Sequence, residues 1–294
     1  MESHFIDAHA HVQFSGFADD REQVIERARK ADVWMINVGT QKDTSKAAVE
    51  LAEKHDGIFA AIGLHPIHTA KSYHDEQELG GGEAAKAFTS RGEDFDMDYY
   101  KKLALHQKTV AIGECGLDYF HLNEDEPKEI QMERQREAFV KQIELARDVD
   151  KPLMIHCRDA FKDLIEILSS PAYPKIENPG VVHFFTGTTD DAAKLLELGF
   201  SFTFGGAITF PSKKKKNVDG TPAGDYDDVV GMIPIDRILS ETDAPYVAPA
   251  PFRGKKNEPA YVVHTVAKLA QLKGVPPEEM KEQIRKNAKR VFGI

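Results

Sequence analysis

The stretch Phe5-Ile6-Asp7-Ala8-His9-Ala10-His11 joins a short apolar run to two histidines spaced two apart. On an extended chain, successive side chains alternate, so His9 and His11 point the same way and can clasp one cation. Taken alone, an H-x-H pair is as often a pair of hydrogen-bonded core histidines as a pair of ligands. What decides the reading is the rest of the chain, where other short apolar runs also end at residues suited to metal chemistry.

Working outward, apolar or β-branched runs recur at 5–7, 33–38, 58–63, 109–113, 153–155, 181–183, 201–204 and 238–240. Amphipathic helical stretches lie between them at 19–31, 44–55, 129–149, 160–168, 190–198 and 258–273, with a last helix at 277–291. Gly57, Gly199 and Gly274 stand just past periodic segments, where helices stop. Alternating strands and helices predict a parallel sheet, and eight repeats predict a single (β/α)8 TIM barrel over residues 1–294. Two stretches break the rhythm. Residues 69–98, with Gly80 to Gly82, read as an elaborated loop and short helix, and 211–228, with Lys213 to Lys216, as a solvated loop.

Composition narrows the function. A 41% hydrophobic and 29% charged chain is that of an ordinary globular protein, and no run of eighteen apolar residues suggests a membrane span. The amino terminus lacks the basic and apolar regions of a signal peptide, so the expected location is the cytoplasm. Two cysteines, Cys115 and Cys157, give neither a disulfide scaffold nor a C-x-x-C pair, and read as small buried hydrophobes. The formal charge of −10 excludes a protein that coats nucleic acid by bulk electrostatics. Bound cations, however, would supply positive charge locally.

The chemistry is placed by position. His9 and His11 follow strand one, Glu114 follows strand four, His156 ends strand five, His183 ends strand six and Asp243 follows strand eight. In a barrel, the C-terminal strand ends converge on one mouth. Six ligands exceed what one tetrahedral zinc uses but suit two cations about 4 Å apart, with Glu114 as the bridging carboxylate. Imidazole and carboxylate together suit Zn²⁺, Mn²⁺ or Mg²⁺. His65, at the end of strand three, is expected to contact a phosphate. Arg158 is a second candidate for that role, or else a partner for a buried acid such as Asp118. Arg253, beside Lys255 and Lys256, is a third candidate, on the loop after strand eight. Trp34 and the Phe184-Phe185 pair read as core.

These residues sit in motifs that resemble the TatD-like metal-dependent deoxyribonucleases of the amidohydrolase superfamily. The motifs are DAHAH at Asp7 to His11, GLHP at Gly63 to Pro66, IGECGLDY at Ile112 to Tyr119, IHCRDA at Ile155 to Ala160, HFFTG at His183 to Gly187, ETDAPY at Glu241 to Tyr246 and NEP at Asn257 to Pro259. They run in the family's order along nearly the whole chain. The resemblance implies a metallo-dependent hydrolase barrel, a divalent metal centre and hydrolysis of DNA, commonly as an exonuclease. His9, His11, Glu114, His156, His183 and Asp243 match its metal positions, and His65 and Arg158 match positions near the substrate. HFFTG departs from the more usual H-C-F-S-G, and the two interrupting stretches exceed the family's typical length.

The expected reaction is attack by metal-activated water on a DNA phosphodiester, with Glu114 and Asp243 as catalytic groups and DNA bound without sequence specificity. One alternative is a sister amidohydrolase acting on an ester, lactone or amide, because the fold does not separate attack on carbon from attack on phosphorus. Another is a non-catalytic, metal-binding adaptor. No oligomeric state follows from the sequence.

Overall fold

The structure, a computed structural model, describes residues 4–71, 73–74, 88–172, 177–211 and 225–294. One sheet contains eight strands: β1 (Phe5–Ala10), β2 (Val33–Val38), β3 (Ile58–Ile62), β4 (Thr109–Asp118), β5 (Leu153–Arg158), β6 (Gly180–Val182), β7 (Ser201–Phe204) and β8 (Ile238–Ser240). They pair in chain order and in parallel. The sheet curls until Ala10 bridges Ala244, beyond β8, again in parallel, giving the nearly closed barrel that the alternation predicts. Both faces of such strands are covered, which is why β4 is buried at every position.

Helices α1 (Arg21–Lys30), α2 (Lys42–Lys54), α3 (Met97–Ala104), α4 (Lys128–Asp148), α5 (Phe161–Leu168), α6 (Thr189–Glu197) and α7 (Tyr226–Met232) connect successive strands. After β8 come α8 (Val262–Lys273) and α9 (Pro277–Phe292). Local chemistry sets their limits. Thr188 and Asp191 exchange hydrogen bonds in a capping box that opens α6. Gly274, at φ +67°, closes α8 in the left-handed conformation expected of it.

The structure corrects several boundaries. Residues 211–228 are not all loop, because α7 starts at Tyr226 behind Asp225, whose side chain accepts the Asp227 N–H at 3.1 Å. Lys213 to Lys216 and Gly80 to Gly82 lie outside the described residues. Helix α8 begins four residues later than its periodicity suggests, after the 3-10 turn Pro259–Tyr261. Strands β1, β4 and β5 run on past residues 7, 113 and 155, so His9 and Glu114 lie within strands rather than after them, and His156 lies inside its strand rather than at its end.

The cause of the β4 extension is local. A Cβ on Gly113 would lie 2.4 Å from the Met154 carbonyl oxygen, and one on Gly116, at φ +131°, would lie 2.0 Å from that of His156. Only glycine lets the two backbones run this close, so pairing continues to Asp118 opposite Arg158.

Helix α9 packs across the opposite end of the barrel. Its Asn287 amide donates to the carbonyls of Ile235 at 2.9 Å and Ile238 at 2.7 Å, and Arg290 donates to Ser201 Oγ and the Asp236 carbonyl. The N-terminal strand ends are thereby tied down, and the C-terminal ends are left for chemistry. Asn287→Ala leaves a buried and a part-buried carbonyl without their donor and is expected to cost about 2 kcal/mol in urea unfolding, with no change in bound cation. An unchanged midpoint would contradict this role.

Candidate metal centre

All six expected ligands converge. His9 Nε2 lies 3.1 Å from His11 Nε2, and Asp243 Oδ1 lies 3.4 Å from His11 Nε2 and 3.9 Å from His9 Nε2. Barrel closure brings these three together. The Asp243 N–H donates to the His9 carbonyl and the His11 N–H to the Ala244 carbonyl, each at 2.8 Å. Asp243 adopts φ +57°, an uncommon conformation for a residue with a side chain, at the point where its carboxylate must turn into the mouth.

Glu114 stands between two groups. Its Oε2 faces His9 at 3.5 Å and His11 at 3.8 Å. Its Oε1 faces His183 at 2.8 Å, His156 at 3.1 Å and His65 at 3.2 Å. Among the described residues, three sets of ligand atoms each fall within 4.8 Å of one another: His9 with Glu114 and His183, His9 with His11 and Asp243, and His65 with Glu114 and His156. Two of the three contain Glu114.

Hydrogen bonds on the far side of the His11 and His156 rings fix which nitrogen is free. His11 Nδ1 donates to the Val38 carbonyl at 2.7 Å, leaving a lone pair on Nε2. His156 Nε2 donates to Asp118 Oδ2 at 3.0 Å, leaving one on Nδ1, and His183 turns Nδ1 toward Glu241 Oε2 at 3.6 Å. Lone pairs then face the Glu114 oxygens at close range, so positive charge, as protons or cations, must lie between them. The donor set and its orientation fit divalent metal.

His65 differs. Its Nδ1 accepts the Ile67 N–H at 3.2 Å, so the ring proton is on Nε2, directed at Glu114. Burial lowers its pKa to about 4, and it is a neutral N–H donor rather than a ligand with a free lone pair. The ring, expected to contact a phosphate, is buried beside the candidate ligands rather than on the rim. Elsewhere, burial pushes the Glu114 carboxyl up, but His65, His183 and His9 outweigh it and hold it well below its ordinary range. Burial likewise disfavours charge on His183, yet Glu114 and Glu241 keep it protonated well above the usual imidazole value.

Arg158 does not pair with Asp118. Its guanidinium lies over the Phe120 ring at 3.7 Å, and Asp118 instead holds His156 and His121. Arg253 is exposed and lies over Phe210, at 4.4 Å. Lys256 is bound to Asp20 at 2.6 Å. Cys115 and Cys157 are buried and unpaired, with thiol pKa values raised by burial, as expected of residues turned from the site. Trp34 is only half-buried, stacked on His4, whereas Phe185 is core and Phe184 half-buried beside His183.

Three supporting residues escaped the sequence reading. Asp118 orients His156. Glu241 accepts the Phe184 N–H at 2.8 Å and the Thr203 hydroxyl while facing His183. Asp7 accepts the N–H and hydroxyl of Thr242, at 2.9 and 2.6 Å, locking β1 to the segment that carries Asp243. Each stands inside a quoted motif, but its partner lies on another strand.

A family model described as TatD related DNase matches residues 6–293. The uncharacterized metal-dependent hydrolase YabD of Bacillus subtilis is 37% identical over 289 residues, covering 98% of each chain. The 3'-5' ssDNA/RNA exonuclease TatD of Erwinia billingiae is 34% identical over 285 residues, covering 95% of each. Among solved structures, YjjV, a TatD homolog from Escherichia coli, aligns with a TM-score of 0.79 at 28% identity over the whole of both chains. The Escherichia coli phosphotriesterase homology protein shares the fold, with a TM-score of 0.59, 14% identity and 99% of each chain covered. No helix among the described residues is long and apolar enough to cross a membrane.

Two outcomes follow for cation binding. Asp118→Ala is expected to weaken it roughly 10- to 100-fold in competition with a chromogenic chelator, because His156 loses its orienting acceptor; unchanged affinity would exclude that role. The pH dependence has a definite sign. His183 and His156 hold protons above the ordinary imidazole value of about 6.5, and a cation must displace them. Affinity should therefore rise with pH through and beyond neutrality, with protons released on binding in weakly buffered solution.

Proposed function

Since this chain belongs to the family of TatD related DNases, and is therefore a metal-dependent hydrolase by kinship, we propose that it hydrolyses phosphodiester bonds of DNA, releasing nucleotides as an exonuclease. The observation that carries this is Glu114, whose two oxygens face two different sets of imidazoles. Such an arrangement suits two divalent cations, Mg²⁺, Mn²⁺ or Zn²⁺, sharing one carboxylate. His9, His11 and Asp243 would hold one, His156 and His183 the other, with Glu114 common to both. When bound, the cations supply Lewis acidity, lower the pKa of water and neutralise charge on the phosphoryl oxygens.

The chain's own residues do the rest. Asp243 and His156 are the least buried of the six ligands, so the Asp243 carboxylate can reach an incoming water and take its proton. His65 directs an N–H into the same space and can donate to a phosphoryl oxygen. Arg158 and the exposed Arg253 extend the positive lining outward, toward phosphates further along the strand. Contacts of this kind grip the backbone and carry no base information, in keeping with DNA bound without sequence specificity.

The test is incubation of purified protein with single-stranded and duplex DNA, with and without EDTA, beside ester and lactone substrates. EDTA-sensitive release of nucleotides is expected, lowered at least 100-fold by Glu114→Ala and by Asp243→Asn. Turnover of the ester or lactone alone would favour the sister hydrolases, and near wild-type cleavage by either variant would refute the residue assignment.

A further inference from the structure

Beyond the ligands, Phe120 stands out. It is one of the few large apolar residues exposed among those described, at 52%, and it follows the end of β4 by two residues, on the rim of the mouth. It is also held there. Asp118 Oδ1 accepts the Phe120 N–H at 3.0 Å and the His121 N–H at 2.9 Å, while Oδ2 of the same carboxylate accepts from His156 at 3.0 Å. One buried carboxylate thus fixes the backbone under Phe120 and the orientation of His156, which lies 3.1 Å from Glu114.

The ring is prepared as well as positioned. Arg158, from the end of β5, lies over it at 3.7 Å, and the edge of His121 meets it at 4.9 Å. A cation held against an aromatic face immobilises the ring and brings positive charge beside it. With the guanidinium in place, the residue is still 52% exposed. A flat apolar surface with a guanidinium next to it matches the chemistry of a single-stranded nucleotide, an unstacked base attached to a phosphate.

We infer that Phe120 and Arg158 form a stacking platform for a nucleobase of the strand being cut, with Arg158 serving the neighbouring phosphate. The inference rests on the proposed nuclease activity. Base stacking on an aromatic side chain is sequence-tolerant, because every base has a π-face, so the platform favours bases free of a duplex without choosing among them.

The test compares two substrates of equal length in the wild-type holoenzyme: an oligothymidylate, and a chain of tetrahydrofuran abasic residues with the same phosphodiester backbone. Wild type is expected to favour the first in kcat/KM by roughly 5- to 100-fold. Phe120→Ala should bring that ratio close to one, chiefly through KM for the thymidylate, and Phe120→Trp should restore it. An identical ratio in wild type and Phe120→Ala, or no preference in wild type, overturns the platform while leaving the nuclease reading intact. If wild type cleaves neither substrate, the nuclease reading fails and takes this inference with it.

Discussion

Glu114 lies buried among His9, His65, His156 and His183, and a carboxylate taken out of water in this way is stable only where positive charge and hydrogen bonds compensate it. Most of the architecture around it serves that condition. Glycines at 113 and 116 let β4 continue against β5, so that the carboxylate and His156 face each other across adjacent strands. Barrel closure at Ala10 and Ala244 supplies the third wall, carrying His9, His11 and Asp243. Behind the rings, Val38, Asp118 and Glu241 turn lone pairs inward. The result is a cluster of negative and lone-pair-bearing atoms that requires cations or protons to hold it together.

The fold was readable because its two determinants are local and repetitive. Apolar runs of strand length alternate with amphipathic helices, and in a barrel this alternation forces the C-terminal strand ends to one mouth. The candidate ligands stood out for the same reason: six chemically apt residues lay at those ends. What escaped was nonlocal. That β4 runs to Asp118 depends on how close the β5 carbonyls lie to Gly113 and Gly116, which no periodicity reports. Asp118 looked like a partner for Arg158, which it opposes in register, but its carboxylate holds His156 and the guanidinium lies over Phe120. The tautomer of His65 depends on a backbone N–H two residues away and separates a donor from a ligand, a distinction the letters GLHP do not contain. Helix α7 was hidden by the lysine, glycine and proline of the stretch before it.

The site also joins binding to chemistry through few atoms. Asp118 holds both the strand-five imidazole and the turn that presents Phe120, so the distance from Phe120 to the candidate ligands is set by one side chain. Phosphodiester hydrolysis needs the phosphorus fixed to within a fraction of an ångström relative to the attacking water, and rigid supports are how such placement is achieved. Helix α9 ties down the opposite strand ends through Asn287.

In the proposed centre, one carboxylate is shared between two cation sites. Anomalous diffraction from crystals grown with Mn²⁺ or Zn²⁺ tests it most directly. Two peaks are expected about 4 Å apart, one beside His9, His11 and Asp243 and the other beside His156 and His183, each bonded to a different oxygen of Glu114. A single peak at saturating metal, or two peaks of which one makes no bond to Glu114, would contradict it.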